Sequence, residues 1–417
     1  MQVFKFGGAS VKDAEGVRNV AKVLQEVGYQ ETLVVVSAMG KTTNKLELVV
    51  KAYFEEKTKQ QEHIQDIITC HEEILFDLFP NKQHSIYKTV TVLFDELKGF
   101  LNWNKSPDYS FVYDQIVGFG ELVSTSVIAA YLNEININYN WLDIRTIIKT
   151  NNSYRDAKVN WEHTMQNVTN HINNSSLYIT QGFLGSDANN FTTTLGREGS
   201  DYTAAILGYC LNATSATIWK DVPGVLNADP RFFKETQLLH QISYEEAIEL
   251  AFYGASVIHP KTLQPLQRKE IPLYVKSFLN PLDRGTCVSK GKQLEPFVPC
   301  FIVKKHQILI SLSSLDFSFI VEENISEIFA LLHQYKLKVD VIQNSAISFS
   351  VCVNDTYKNI EALLQELRSK FKVSCIENVS LYTIRHNSTE AFEKISKGKE
   401  VLLKQEKDNT VQLITSN

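Results

Sequence analysis

The feature that most restricts this chain is the order strand, glycine turn, helix, strand at its beginning. Val3–Phe6 is a short apolar run stopped by Gly7 and Gly8. Residues 14–27 then carry Val17, Val20, Ala21 and Leu24 at helical spacing and stop near Gly28. Residues 32–37 form a second, β-branched run, followed by the turn-rich stretch from Met39 to Asn44. Parallel neighbours need a crossover and are buried on both faces, so this order predicts a parallel sheet covered by helices.

The rest of the chain extends that reading. Residues 45–100 are mostly helical in pattern, and strands return at 138–142, 177–180, 216–219 and 272–275. Each is followed by a polar or glycine-containing loop, and in open α/β sheets ligands sit outside the carboxyl ends of the strands. The expected class is α/β, a three-layer sandwich around a mostly parallel sheet, over residues 1–290. A turn-rich boundary falls near residues 285–300, punctuated by Pro296 and Pro299. Beyond it, strand patterns at 308–312, 338–342, 346–353 and 373–385 alternate with helical patterns at 325–334 and 357–371. That is βαββαβ, a smaller α+β ferredoxin-like region within residues 300–417.

Composition narrows the function classes. A chain of 417 residues suggests two to three domains. With 42 Lys and Arg against 47 Asp and Glu, no basic footprint favours nucleic acid. No run of 18 or more apolar residues is present, and the first residues enter a strand without the layout of a secretory signal, so a cytoplasmic protein is expected, with no membrane partner. The six cysteines are scattered without a C-x-x-C pair and read as isolated reduced thiols.

Three stretches carry chemistry. Lys5-Phe6-Gly7-Gly8-Ala9-Ser10 places bare amides and a positive charge at a strand end, which suits an anion, although an ordinary turn would look the same. No G-x-x-x-x-G-K-[ST] or helix-opening G-x-G-x-x-G occurs, which speaks against a P-loop or a dinucleotide fold. The segment from Thr193 to Ala205 leads through Gly196, Arg197 and Gly199 into Ser200-Asp201, either a carboxylate-gripping loop or a helix near Tyr202 capped by Ser-Asp. Trp219 to Arg231 has two proline-bearing turns, several carboxylates and a terminal arginine, and taken alone is an ordinary loop.

Taken in order, these stretches resemble the amino-acid kinase family, and within it the aspartokinases. Lys5–Ser10 resembles the family's KFGG[TS]S opening, and Ser37-Ala38 through Thr43-Asn44 its SA…TN loop. Gly120-Glu121 with Ser124-Thr125, Thr180–Phe183, Gly196–Asp201, Asp221–Gly224 and His259-Pro260 are similar to its GE…S[TA], TQGF, GRGGSD, DVPG and VLHP segments. The resemblance implies transfer of the γ-phosphoryl of ATP to the β-carboxylate of L-aspartate, with Mg²⁺ carried mainly by the phosphates and no protein metal ligand named. A carboxylate is already an ionised nucleophile at neutral pH, so positioning and charge neutralisation are the expected means of catalysis.

The resemblance also assigns roles. Lys5 would bridge the acceptor carboxylate and the γ-phosphate, with Asp201 orienting it and keeping it charged. Gly7, Gly8 and Ser10 would cradle phosphates, and Lys220, Asp221 and Arg231 would serve the nucleotide. Arg197 would clamp the α-carboxylate of aspartate and Glu121 its α-ammonium, with Ser37, Thr43, Phe183 and Ser200 lining the substrate site. Departures are Ala9, Lys220, Leu226, Ser256, and Glu198 where the family has a glycine; if that position needs a positive φ, Glu198 is strained. Lys220 or Lys261 is expected to supply the charge that Ser256 lacks. A glutamate 5-kinase-like activity and a non-catalytic amino-acid sensor remain the alternatives.

Residues from about 306 resemble the ACT regulatory domain, with a first unit at 306–378 and a second, shortened unit at 379–417 that retains strand only at Thr410–Thr415. Asp340 and Ser345 are the implied effector residues. The resemblance implies a homodimer or a dimer of dimers through this region.

Overall fold

The computed structural model describes residues 1–173, 175–255, 258–316 and 318–416. The chain divides into two compact units: residues 1–225, 238–248 and 258–296, and residues 226–237, 249–257 and 297–417. Two short segments, 226–237 and 249–257, thus go with the second unit although they precede its main body.

The first unit is built on an eight-stranded sheet in the order Tyr139–Leu142, Leu177–Gln181, Thr32–Val36, Gln2–Phe6, Ala216–Lys220, Leu273–Ser277, Thr286–Ser289, Gln241–Ser243. All neighbours are parallel except Leu273–Ser277 with Thr286–Ser289. Successive strand residues point to opposite faces, and the two cores follow that alternation. Phe4, Phe6, Val34 and Val36 pack with the helices Ala14–Val27, Thr42–Glu55 and Ser85–Trp103 on one side. Val3, Leu33 and Val35 pack with Trp161–His171 and Gly199–Leu211 on the other. This is the expected three-layer arrangement. Asp13 caps Ala14–Val27 through the Gly16 N–H at 2.8 Å, and Gly28 ends it at φ +87°, a conformation that favours glycine.

By length and composition the stretch Tyr109–Glu134 is apolar enough to cross a membrane, but 78% of its most apolar part is buried among the other helices. Packing against the sheet accounts for its composition.

The second unit holds a six-stranded antiparallel sheet in the order Lys338–Asn344, Ser348–Asn354, Cys300–Ser313, Lys372–Arg385, Thr410–Thr415, Val401–Lys407. With the helices Glu322–Gln334 and Ile360–Arg368, the first four strands give the ferredoxin-like βαββαβ order. The two central strands are each 14 residues long. Ile308–Ser313 pairs with the first four-strand group, whereas Cys300–Lys304 pairs with Leu381–Arg385, which in turn borders Thr410–Thr415. The second ferredoxin-like half is therefore completed by the start of an earlier strand. It also has the helix Thr389–Ser396 and the strand Val401–Lys407, so the expectation that only Thr410–Thr415 remains as strand there is corrected. A strand borrowed from far upstream, Cys300 pairing with Arg385 and Lys304 with Leu381, leaves no signature in the local pattern.

Candidate active site

A cavity of about 510 Å³ opens in the first unit at the C-terminal ends of the parallel strands. Its wall takes Lys5 and Lys220 from the ends of Gln2–Phe6 and Ala216–Lys220, Ser37 from just after Thr32–Val36, and Phe183 from just after Leu177–Gln181. Thr43 comes from the first turn of Thr42–Glu55, and Ser200 and Asp201 from the first turn of Gly199–Leu211. Two helix N-termini thus face the same space, and their free N–H groups favour anions there.

Lys5 lies on the same sheet face as Val3, the face covered by Gly199–Leu211, and its ammonium reaches Asp201 Oδ1 at 2.7 Å. Lys220 Nζ lies 3.6 Å from the other oxygen. Burial pushes the Asp201 carboxyl up, but the Lys5 and Lys220 ammoniums outweigh burial and hold it below the ordinary carboxylate range. Neither Ser200 nor Asp201 caps the helix; the N-cap position is Glu198, with no side-chain capping bond, so the capping alternative is corrected. Ser37 and Thr43 are not capping residues either.

Close backbone approach explains the glycines. A Cβ on Gly8 would sit 2.8 Å from the carbonyl oxygens of both Ala38 and Gly40, so the opening turn and the Ser37–Thr43 loop meet only with glycine there. A Cβ on Gly182 would fall 2.4 Å from Ser200 Cβ. Gly182 is what lets the first turn of the helix reach the strand end.

Glu121 enters from Phe119–Glu134 and is 2% exposed. Its Oε1 accepts the Ala38 N–H at 3.3 Å, while Oε2 is buried without a hydrogen-bond partner. Burial pushes its pKa up to about 8, against the opposing effect of the Ala38 N–H and Lys5. A buried carboxylate with a free oxygen at a cavity wall is suited to receive an ammonium group.

Arg197 and Glu198 share the rim. Glu198 adopts φ +54°, ψ +30°, the left-handed conformation suspected from the sequence, and its Oε2 is buried without a hydrogen-bond partner. Two wall residues escape the sequence reading: Tyr113 and Arg155. Arg155 has φ +70° and its guanidinium lies 4.6 Å from the centre of the Tyr113 ring. Its backbone N–H is held by Asp114 at 3.0 Å, and burial raises that carboxyl to about 6. No motif spans the helix Tyr109–Val117 and the loop around Arg155, so only the fold brings them together.

The cavity gathers Lys5, Gly8, Ser37, Thr43, Glu121, Phe183, Arg197, Ser200, Asp201 and Lys220. Gly7 and Ser10 lie next to it in the opening turn, Gly7 so close that a Cβ would be 3.3 Å from Lys5 Nζ, and Ser10 Oγ is buried without a partner. Asp221 is exposed in the turn after Ala216–Lys220 and is not part of the wall. Arg231 belongs to the second unit and binds Asp229 at 2.6 Å. Lys261 pairs with Asp156, and Ser256 lies outside the described residues. His259 caps Pro260–Arg268 through the Lys261 N–H at 3.2 Å. Among the described residues, no group of three or more His, Cys, Asp or Glu side chains is arranged to hold a metal ion.

The chain is 31% identical over 401 residues to the lysine-sensitive aspartokinase 3 of Escherichia coli, covering 92% of this chain and 87% of that one. It is 30% identical over 393 residues to the bifunctional aspartokinase/homoserine dehydrogenase of Buchnera aphidicola, covering 89% of this chain but spanning about half (47%) of the length of that relative. Escherichia coli aspartokinase III, solved in complex with aspartate and ADP, matches with a TM-score of 0.81 at 27% identity, covering 100% of this chain and 96% of that one. Residues 1–277 match the amino acid kinase family, and the chain belongs to that family.

Proposed function

We propose that the chain is an ATP-dependent aspartate kinase, which converts the β-carboxylate of L-aspartate to an acyl phosphate. The observation that carries this reading is the Lys5–Asp201 pair at 2.7 Å in one cavity with Glu121 and Arg197. A free amino acid offers two charged groups besides the reacting carboxylate. Arg197 suits the α-carboxylate as a planar fork, and the partnerless oxygen of Glu121 suits the α-ammonium. The β-carboxylate then points toward Lys5, which draws it and the γ-phosphate of ATP together. Asp201 fixes the Lys5 ammonium, and the two helix N-termini add N–H groups for the phosphate oxygens.

Mg²⁺ would neutralise the phosphate charge when bound with ATP. Such an ion would be held chiefly by phosphates and water. Lys5, Gly7, Gly8, Ser10 and Lys220 are the proposed phosphate side of the site, with Asp221, next to Lys220 in the chain, assigned to the nucleotide.

The second unit is proposed to regulate the first and to pair two copies of the chain. Its sheet ends in the strand Lys338–Asn344, whose Ile342 is 42% exposed, an edge suited to a second copy. Lysine is the first effector to test, since the Escherichia coli relative is lysine-sensitive. Asp340 already binds Lys304 at 2.8 Å, and Ser345 bonds within its own turn to Ser348, so an effector there would have to compete with these partners. A cytoplasmic setting is supported by the six free thiols.

A hydroxylamine trapping assay with ATP and either aspartate or glutamate tests the activity. Hydroxamate with aspartate is expected; signal with glutamate alone would overturn the reading.

A further inference from the structure

A second cavity, of about 440 Å³, lies wholly within the second unit and away from Asp340 and Ser345. Its floor is Tyr382, 8% exposed, and two ammoniums share that ring: Lys399 at 4.6 Å and Lys305 at 5.7 Å from its centre. Both are held in place, Lys399 donating to the Ile395 carbonyl at 2.5 Å and Lys305 to the Tyr382 hydroxyl at 3.4 Å. Two positive charges therefore sit within about a Debye length of each other. Among the described residues neither has a carboxylate within salt-bridge distance. The wall's one acidic residue, Glu235, is taken by Lys394 at 3.3 Å, and Lys234 adds a further cation. The same wall includes Phe233, stacked on Phe301 at 5.6 Å, and Phe232, 51% exposed.

We propose that this cavity binds a small phosphorylated compound bearing a planar ring. Like charges fixed against one buried ring repel one another, and a bound anion removes that repulsion. A phosphate dianion offers three acceptor oxygens to several ammonium donors at once, where a single carboxylate offers fewer. The exposed Phe232 face and the neighbouring cations give a flat ring both an apolar contact and a cation–π partner.

The test is calorimetry on the full chain, with ADP and aspartate present in excess so that the catalytic cavity is filled. The probes are pyridoxine 5′-phosphate, pyridoxine and inorganic phosphate. Pyridoxine 5′-phosphate is expected to bind once per chain and at least tenfold more tightly than either part alone. Combining Lys305→Gln with Lys399→Gln is expected to weaken it at least tenfold while melting temperature and turnover stay unchanged. Phe232→Ala, an exposed position that does not endanger folding, is expected to reduce the preference for the ring compound over inorganic phosphate. Undiminished binding in the double variant, no heat with any probe, or an unchanged preference in Phe232→Ala would overturn the proposal.

Discussion

The Lys5 ammonium and the Asp201 carboxylate meet at 2.7 Å because the alternation of one strand and the first turn of one helix put them on the same side of the sheet. Lys5→Met removes the charge proposed to face both anions but leaves Asp201 with Lys220, so the fold is expected to persist. Turnover in the hydroxamate assay should fall about 10²- to 10³-fold, the usual cost of removing one preorganised stabilising group. Turnover near the wild-type value with an intact circular dichroism spectrum would contradict the role given to Lys5.

If Glu121 receives the α-ammonium as proposed, substrate binding is linked to protons. Its folded pKa of about 8 lies above the ordinary value of 4.5, so the folded protein takes up a proton that the unfolded chain lacks near neutrality. The stability from neutral Glu121 is fully present below pH 4.5 and is lost as pH rises through 8; Glu121→Gln should flatten that part of the profile. An arriving α-ammonium favours the ionised form. Aspartate binding at pH 7 should therefore release a proton, read as a dependence of binding heat on buffer ionisation enthalpy. Glu121→Gln should abolish the release and raise KM for aspartate roughly ten- to hundredfold.

Glu198 occupies a left-handed position that costs a residue with a Cβ about 1 kcal/mol, and it buries a carboxylate oxygen without a partner. Glu198→Gly is expected to stabilise the first unit by about that amount, seen as a higher urea midpoint. A lower midpoint would show that the side chain contributes something the backbone angle does not reveal.

Lys220 and Lys261 separate cleanly. Lys220 lies in the cavity wall beside Asp201, whereas Lys261 is engaged with Asp156, a residue 67% exposed. Lys220→Ala should lower turnover by about tenfold, the equivalent of roughly 1.4 kcal/mol. Lys261→Ala should change it less than twofold, as expected for an exposed pair. Equal losses in the two variants would refute this division.

In the second unit, Lys304 and Asp340 are 20% and 7% exposed at 2.8 Å. Asp340→Ala leaves a largely buried ammonium without its partner, a loss on the order of 3 kcal/mol. A separate, earlier melting transition is expected, with kinase turnover measured below that transition unchanged.

The parts of this site that could be read in the sequence are those whose physics is local. Lys5, Gly7 and Gly8 announce themselves because a strand end, two bare amides and a charge are adjacent in the chain. The suspicion about Glu198 needed only the knowledge that a glycine position with positive φ resists a Cβ. What escaped depends on distant segments meeting. Tyr113 and Arg155 are 42 residues apart and become neighbours only when the helix and the loop close over the sheet. Arg231 and Asp229 stand two residues apart, and nothing in the sequence shows that they engage each other. Short strands such as Gln241–Ser243 are too brief to show a period, and only their pairing with Thr286–Ser289 defines them.

The two long strands Cys300–Ser313 and Lys372–Arg385 serve both ferredoxin-like halves of the second unit. Their facing residues pair in two stretches, Cys300–Lys304 with Leu381–Arg385 and Leu309–Ser313 with Lys372–Ile376, separated by bulges between Lys304 and Leu309. Inserting or deleting a single residue beyond those bulges would turn the side chains of one half inside out while sparing the other. The bulges therefore act as a hyphen between two words, letting evolution respell either half without making the other unreadable.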